Sequence, residues 1–80
     1  MLTEYVRAAV SKATYEVFED DGTYYGEVPG LPGVWANEPT LEACRDELAS
    51  AVEDWVQFRL SRGMSVPALD GIEIALRKVA

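Results

Sequence analysis

Apolar residues change their spacing twice along the 80-residue chain, and the changes mark out its elements. Leu2, Tyr5, Val6, Ala9, Val10 and Ala13 recur every three or four positions, which predicts a short amphipathic helix over Leu2–Lys12. A helix this short is marginal alone and must dock on something. The run TYEVFE then alternates and is rich in strand formers, as is TYYGEV after Asp20, Asp21 and Gly22. An Asp-Gly pair between two such runs predicts a hairpin, because glycine tolerates the positive φ of the tight primed turns that match strand twist. VWANE supplies a third short strand, bounded by Pro39.

From Thr40 the period becomes helical. Thr40 is placed as an N-cap, Glu42 suits the first turn, and Gly63 is a terminator following Arg59 and Arg62, which predicts a helix of about 22 residues. Leu41, Cys44, Leu48, Ala51, Val52 and Trp55 form its apolar stripe, and Arg59 lies in the direction of that stripe at the helix end. After the loop MSVPALDG, the run IEIALRKV alternates again and predicts a fourth strand with Ile72, Ile74 and Leu76 on one face. The expected architecture is α+β: an N-terminal helix within residues 1–13, then a three-stranded antiparallel meander, a long helix and a fourth strand over 14–80, all in one domain. Right-handed crossover geometry places strand four parallel to strand one, in the sheet order 3-2-1-4. Both helices should cover one sheet face. The other face must then be polar or be covered by a partner, and Tyr24, Tyr25 and Trp35 are the expected contact material, with a homodimer as one outcome.

Charge sharpens this picture. The net charge is −7, and residues 15–39 hold Glu16, Glu19, Asp20, Asp21, Glu27 and Glu38 without a lysine or arginine. Such a surface repels phosphate and attracts basic partners, so direct nucleic-acid binding is not expected. No apolar run approaches the ~20 residues of a membrane helix, and Glu4 and Arg7 interrupt the N-terminus, so neither a signal peptide nor a membrane association is expected. The single Cys44 fits a reducing compartment, and the expected location is the cytoplasm.

Catalytic chemistry finds little support. The chain has no histidine, which removes Cys-His and Ser-His pairs and the commonest proton shuttle. Cys44 falls on the apolar stripe, whereas reactive thiols need an electropositive, partly exposed setting. Glu16, Glu27, Glu53 and Asp54 come from three different elements and could converge in principle, but nothing in their spacing requires them to meet on a metal ion. The stretch GEVPGLPG leads into another strand rather than opening a helix, so it is no phosphate loop. Pro29, Gly30, Pro32 and Gly33 are instead expected to form a structural corner between strands two and three. Neither an enzymatic activity nor a cofactor is expected.

The residues from YYGEVPGLPGVWANEPTLEACRDELASAVEDWVQFRLSRGMSVP resemble the HicB-type antitoxin family. The matching positions are Tyr25, Gly26, Pro29, Leu31, Pro32, Gly33, Thr40, Leu41, Glu42, Gly63 and Pro67, and the resemblance extends over residues 14–76. It implies a partial ribonuclease-H-like fold and a protein that neutralises a small, basic, RNA-cleaving toxin by protein–protein contact, commonly as a homodimer or tetramer. On that reading Tyr24, Tyr25, Glu27, Leu31, Trp35 and Glu38 are the expected partner contacts. The position after Pro29, often acidic in the family, is Gly30 here, and the sequence given stops at Ala80 without the DNA-binding segment many members carry. The alternative is an orphan ribonuclease-H-like remnant with a regulatory role or a weak metal-dependent nuclease using carboxylates such as Glu16, Glu27 and Glu53.

Overall fold

The computed structural model describes residues 2–69 and 71. Its elements in chain order are α1 (Leu2–Ser11), β1 (Thr14–Phe18), β2 (Thr23–Glu27), β3 (Trp35–Glu38) and α2 (Leu41–Ser61). The strands form one antiparallel sheet in the order β1-β2-β3, so the α+β class and the meander are both present. The expected fourth strand, with Ile72, Ile74 and Leu76, lies outside the described residues, and with it the 3-2-1-4 order and the ribonuclease-H-like topology.

The first hairpin closes differently from the tight Asp-Gly turn that the sequence predicts. Phe18 pairs with Thr23 across a loop formed by residues 19–22, and the Gly22 N–H reaches back to the Phe18 carbonyl at 2.8 Å. Gly22 adopts φ +70, and an Asp21 carboxylate oxygen accepts from both the Thr23 N–H (3.0 Å) and its hydroxyl (2.7 Å). Those two bonds hold the exposed Asp21 carboxyl below its ordinary value. The physical reason for the longer loop is in the pairing it sets. A two-residue turn at Asp21-Gly22 would put Glu16 opposite Glu27, a destabilising like-charge pair; the observed register puts Glu16 opposite Tyr25 and Glu27 opposite Thr14.

Between β2 and β3 the chain makes two consecutive Pro-Gly turns. Leu31 N–H donates to the Val28 carbonyl at 3.1 Å and Val34 N–H to the Leu31 carbonyl at 3.2 Å, with Gly30 and Gly33 at φ +91 and +88. Proline second and a positive-φ glycine third is the type II signature. Each turn spans three positions, so Val28, Leu31 and Val34 recur on one side and all three are buried.

Helix α2 has both its predicted signals. The Thr40 hydroxyl accepts from the Ala43 N–H at 3.1 Å, and at the far end Met64 N–H returns to the Arg59 carbonyl while Gly63 N–H returns to Leu60, with Gly63 at φ +70. That pair of bonds is a Schellman cap. Its buried line is Cys44, Leu48, Val52 and Val56. Leu41, expected on that line, is instead 41% exposed: the buried residues follow a strict four-residue spacing from Cys44 to Val56, and Leu41 is one position off it.

Helix α2 covers β2 and β3, while α1 packs on α2 rather than on the sheet. The expectation that both helices share a sheet face is met by α2 alone. Tyr5, Ala8 and Ala9 are the buried residues of α1, and the two alanines allow close helix approach. The fully buried Tyr5 donates its hydroxyl to the Pro67 carbonyl, tying the segment after α2 back to α1. Among the described residues no helix is long and apolar enough to cross a membrane.

Candidate functional site

Cross-strand partners share a face, and successive residues alternate faces. The register therefore sorts every strand residue. Tyr15, Val17, Tyr24, Gly26, Ala36 and Glu38 are on the α2 side; Thr14, Glu16, Phe18, Thr23, Tyr25, Glu27, Trp35 and Asn37 are on the open side.

On the open side three rings form a diagonal row across the three strands. Phe18 and Tyr25 have centroids 5.6 Å apart with planes 14° from parallel, and Tyr25 and Trp35 are 6.1 Å apart at 22°. These are stacked geometries. Phe18 is 40% exposed and Trp35 56% exposed, a large apolar surface to leave in water. Carboxylates interleave with the rings: Glu16 is directly opposite Tyr25, and Glu27 directly opposite Trp35. Desolvation raises the Tyr25 hydroxyl above its ordinary value, and a hydrogen bond to Glu27 and the charges of Glu27 and Glu16 raise it further, so it stays a neutral donor. Asn37 fixes one border of the face by donating to the Thr23 hydroxyl at 3.0 Å and the Tyr24 carbonyl at 2.9 Å.

The Pro-Gly corner rises at one end of this face. With Tyr25, Glu27 and Trp35 it encloses a concavity of about 380 Å³ whose other lining includes Pro29, Gly30, Leu31, Pro32 and Gly33. Turn geometry thus gives the corner two jobs, anchoring the core through its valines and Leu31 and walling one end of the open face.

Of the residues that the sequence singled out as partner contacts, Tyr25, Glu27 and Trp35 come together here. Tyr24 and Glu38 are paired with each other on the opposite face, where Tyr24 packs against the core. Leu31 is only 1% exposed and is an anchor of the corner. Sequence reasoning missed Phe18, Glu16 and Asn37. The signal was available, since alternation in TYEVFE puts Glu16 and Phe18 together, but joining them to Tyr25 needs the hairpin register.

Two other features are on the far side of the sheet. A groove of about 560 Å³ runs between α1 and α2, and its lining mixes Arg7 and Arg45 with Glu42, Asp46 and Glu53. Glu53 is therefore separated by the sheet from Glu16 and Glu27, and the three do not converge. Among the described residues no group of three or more His, Cys, Asp or Glu is arranged to hold a metal ion. Cys44 is fully buried, its Sγ 3.5 Å from the Ala36 carbonyl, and burial first and Glu38 second push its thiol up.

A family model described as UPF0150-like matches residues 4–67. None of the curated proteins matches the chain. Among solved structures, the chain is similar to the crystal structure of TTHA0281 from Thermus thermophilus, at 44% identity over 96% of this chain and 95% of that one, with a TM-score of 0.86.

Proposed function

The chain belongs to the UPF0150-like family, and from that premise we propose that it is a HicB-type antitoxin, which binds and neutralises a small basic RNA-cleaving protein by contact rather than by catalysis. The observation that carries this reading is the open sheet face, where exposed rings alternate with carboxylates in a chain of net charge −7. A protein shaped to hold RNA phosphates is attracted to the same carboxylates, and an inhibitor seated on its cationic surface excludes the substrate. The aromatic row supplies apolar area that a purely acidic surface lacks; interface centres are enriched in such rings.

Self-association as a dimer or tetramer belongs to this reading. The edge of β3 is its natural route, since β3 is the last strand of the described sheet. Two open faces packed together would instead oppose Glu16 and Glu27 of both copies. The ribonuclease-H-like topology that the resemblance implies also belongs to this reading. The protein works in the cytoplasm on this reading, without direct contact to nucleic acid.

Recovery of the tagged chain from its native host at moderate salt, with mass spectrometry of stoichiometric partners, tests the proposal. A small basic protein with RNA-cleaving activity is the expected partner. Recovery of this chain alone, as an oligomer, overturns it.

A further inference from the structure

We propose that the concavity bounded by Trp35, Tyr25, Glu27 and the Pro-Gly corner is a receptor site for one arginine side chain of a basic protein partner. The inference rests on the reading of this chain as a binder of such a protein and deepens it, by naming the group that is read and the residues that read it.

Trp35 and Glu27 are directly opposite each other on neighbouring strands, so their side chains leave the sheet side by side. A cation that stacks on the indole is therefore within reach of the carboxylate. Tyr25, stacked between Phe18 and Trp35, backs the indole, and Glu16 opposite Tyr25 adds a second carboxylate to the row. Ring face, adjacent counter-charge and a wall on one side are the requirements for a stacked, ion-paired cation. The ring half of this arrangement already occurs twice on α2, where the Arg59 guanidinium is 4.8 Å from the Trp55 ring centroid and that of Arg62 is 5.0 Å from Phe58. Residues 15–39, which build nearly all of the open face, contain no lysine or arginine, so the strands and loops of this face supply no cation of their own.

The same facts choose among occupants. A second copy presents an equally acidic face and is repelled by it. Nucleic acid brings phosphates to Glu16 and Glu27. Arginine is favoured over lysine because its planar guanidinium stacks on an indole and keeps in-plane N–H groups for a carboxylate, whereas an ammonium is compact and more strongly hydrated.

The test uses the ¹⁵N-labelled full chain titrated with a blocked Gly-Gly-Arg-Gly-Gly peptide and its lysine and citrulline counterparts, followed by NMR. The arginine peptide is expected to shift the Trp35 indole N–H and the Tyr25 and Glu27 amides while leaving the Trp55 indole in place. The lysine peptide shifts them less, and the neutral citrulline peptide does not shift them. Glu27→Gln and Trp35→Leu weaken the binding by roughly 10-fold, and Phe58→Leu, on α2, binds as the wild type does. Both site residues are exposed, so both variants are expected to stay folded, Glu27→Gln at the wild-type melting temperature and Trp35→Leu somewhat below it through the lost stacking on Tyr25. Equal shifts from the citrulline peptide, equal shifts at Trp55, or undiminished binding by both variants would overturn the site. So would a Trp35 shift that grows with protein concentration alone, which makes a second copy the occupant.

This inference and the function it rests on fail separately. A basic partner captured equally by wild type, Glu27→Gln and Trp35→Leu removes the arginine site and leaves the function standing. Arginine-peptide binding intact in a chain that recovers no basic partner does the reverse.

Discussion

Gly26 is the tightest point between the sheet and α2, and replacing it with alanine measures that packing. It is buried in β2, paired with Tyr15 on one side and Ala36 on the other. A Cβ added there would be 2.8 Å from Tyr15 Cε1, 2.9 Å from Tyr15 Cδ1 and 3.2 Å from Cys44 Sγ. The first two distances are shorter than real carbon–carbon contacts, so the ring must move. The Tyr15 ring is packed against the core, and Cys44 is fixed on the buried line of α2. Overpacking of this kind costs ~1–3 kcal/mol. Alanine recovers about 0.5–1 kcal/mol because it loses less backbone entropy than glycine in a strand. The difference spans about 0–2.5 kcal/mol, and the unyielding contacts put the expectation for Gly26→Ala at a destabilisation of about 1–1.5 kcal/mol, or a melting temperature lower by roughly 4–12 °C for a domain this size. Urea denaturation followed by circular dichroism should show a lower midpoint with an unchanged slope. The double-mutant cycle with Tyr15→Val isolates the cause: without the ring, the cost of the added methyl should fall to the Cys44 contact alone, a coupling of about 0.5–3 kcal/mol. A Gly26→Ala chain as stable as the wild type, or one equally destabilised in both Tyr15 backgrounds, refutes the reasoning.

Other consequences follow from caps, burial and titration. Thr40→Ala removes the hydroxyl that accepts from the Ala43 N–H and should cost ~0.5–2 kcal/mol in the same urea experiment. Cys44 should react with a thiol reagent at neutral pH only through opening of the fold, so native labelling is expected to be ~100-fold or more slower than in urea; labelling at the free-thiol rate would show that α2 does not cover it. Tyr5 is raised above its ordinary value by burial, with the Arg59 charge partly opposing. A raised folded-state value contributes stability that is fully present below the ordinary tyrosine value of about 10 and is lost as pH rises through the folded one. Tyr5→Phe should therefore be less stable by about 1 kcal/mol near neutrality, through the lost bond to the Pro67 carbonyl, yet lose less stability than the wild type on going to about pH 11. Parallel losses in the two proteins would contradict the assignment.

Much of this fold is written in local chemistry. Thr40 and Gly63 bracket α2 because capping is decided within a few residues of each end, and the two Pro-Gly pairs define their turns in the same way. Readings that depend on distant partners were less legible. Leu41 and Val56 are both compatible with an apolar stripe, and only the packing of the other elements around α2 decides that Val56 is buried and Leu41 is not. The docking of α1 on α2 rather than on the sheet is likewise a tertiary choice that amphipathic spacing does not encode. The open sheet face illustrates the same division. Tyr25 and Trp35 stand out by composition, but their union with Phe18 and the alternation with Glu16 and Glu27 follow from a hairpin register set by the loop 19–22. Leu31 shows the reverse case: a conspicuous apolar residue in a Pro-Gly loop reads as a contact lip, and the turn geometry turns it inward.

The central claim is that this chain silences a basic RNA-cleaving partner by occupying it. Its most direct test is the RNA-cleaving activity of the partner recovered from the native host, measured as this chain is titrated in. The account predicts that cleavage falls to zero at a fixed stoichiometry and returns as salt screens the charges between the two proteins. Cleavage that persists at a stoichiometric excess of this chain at low salt would contradict it.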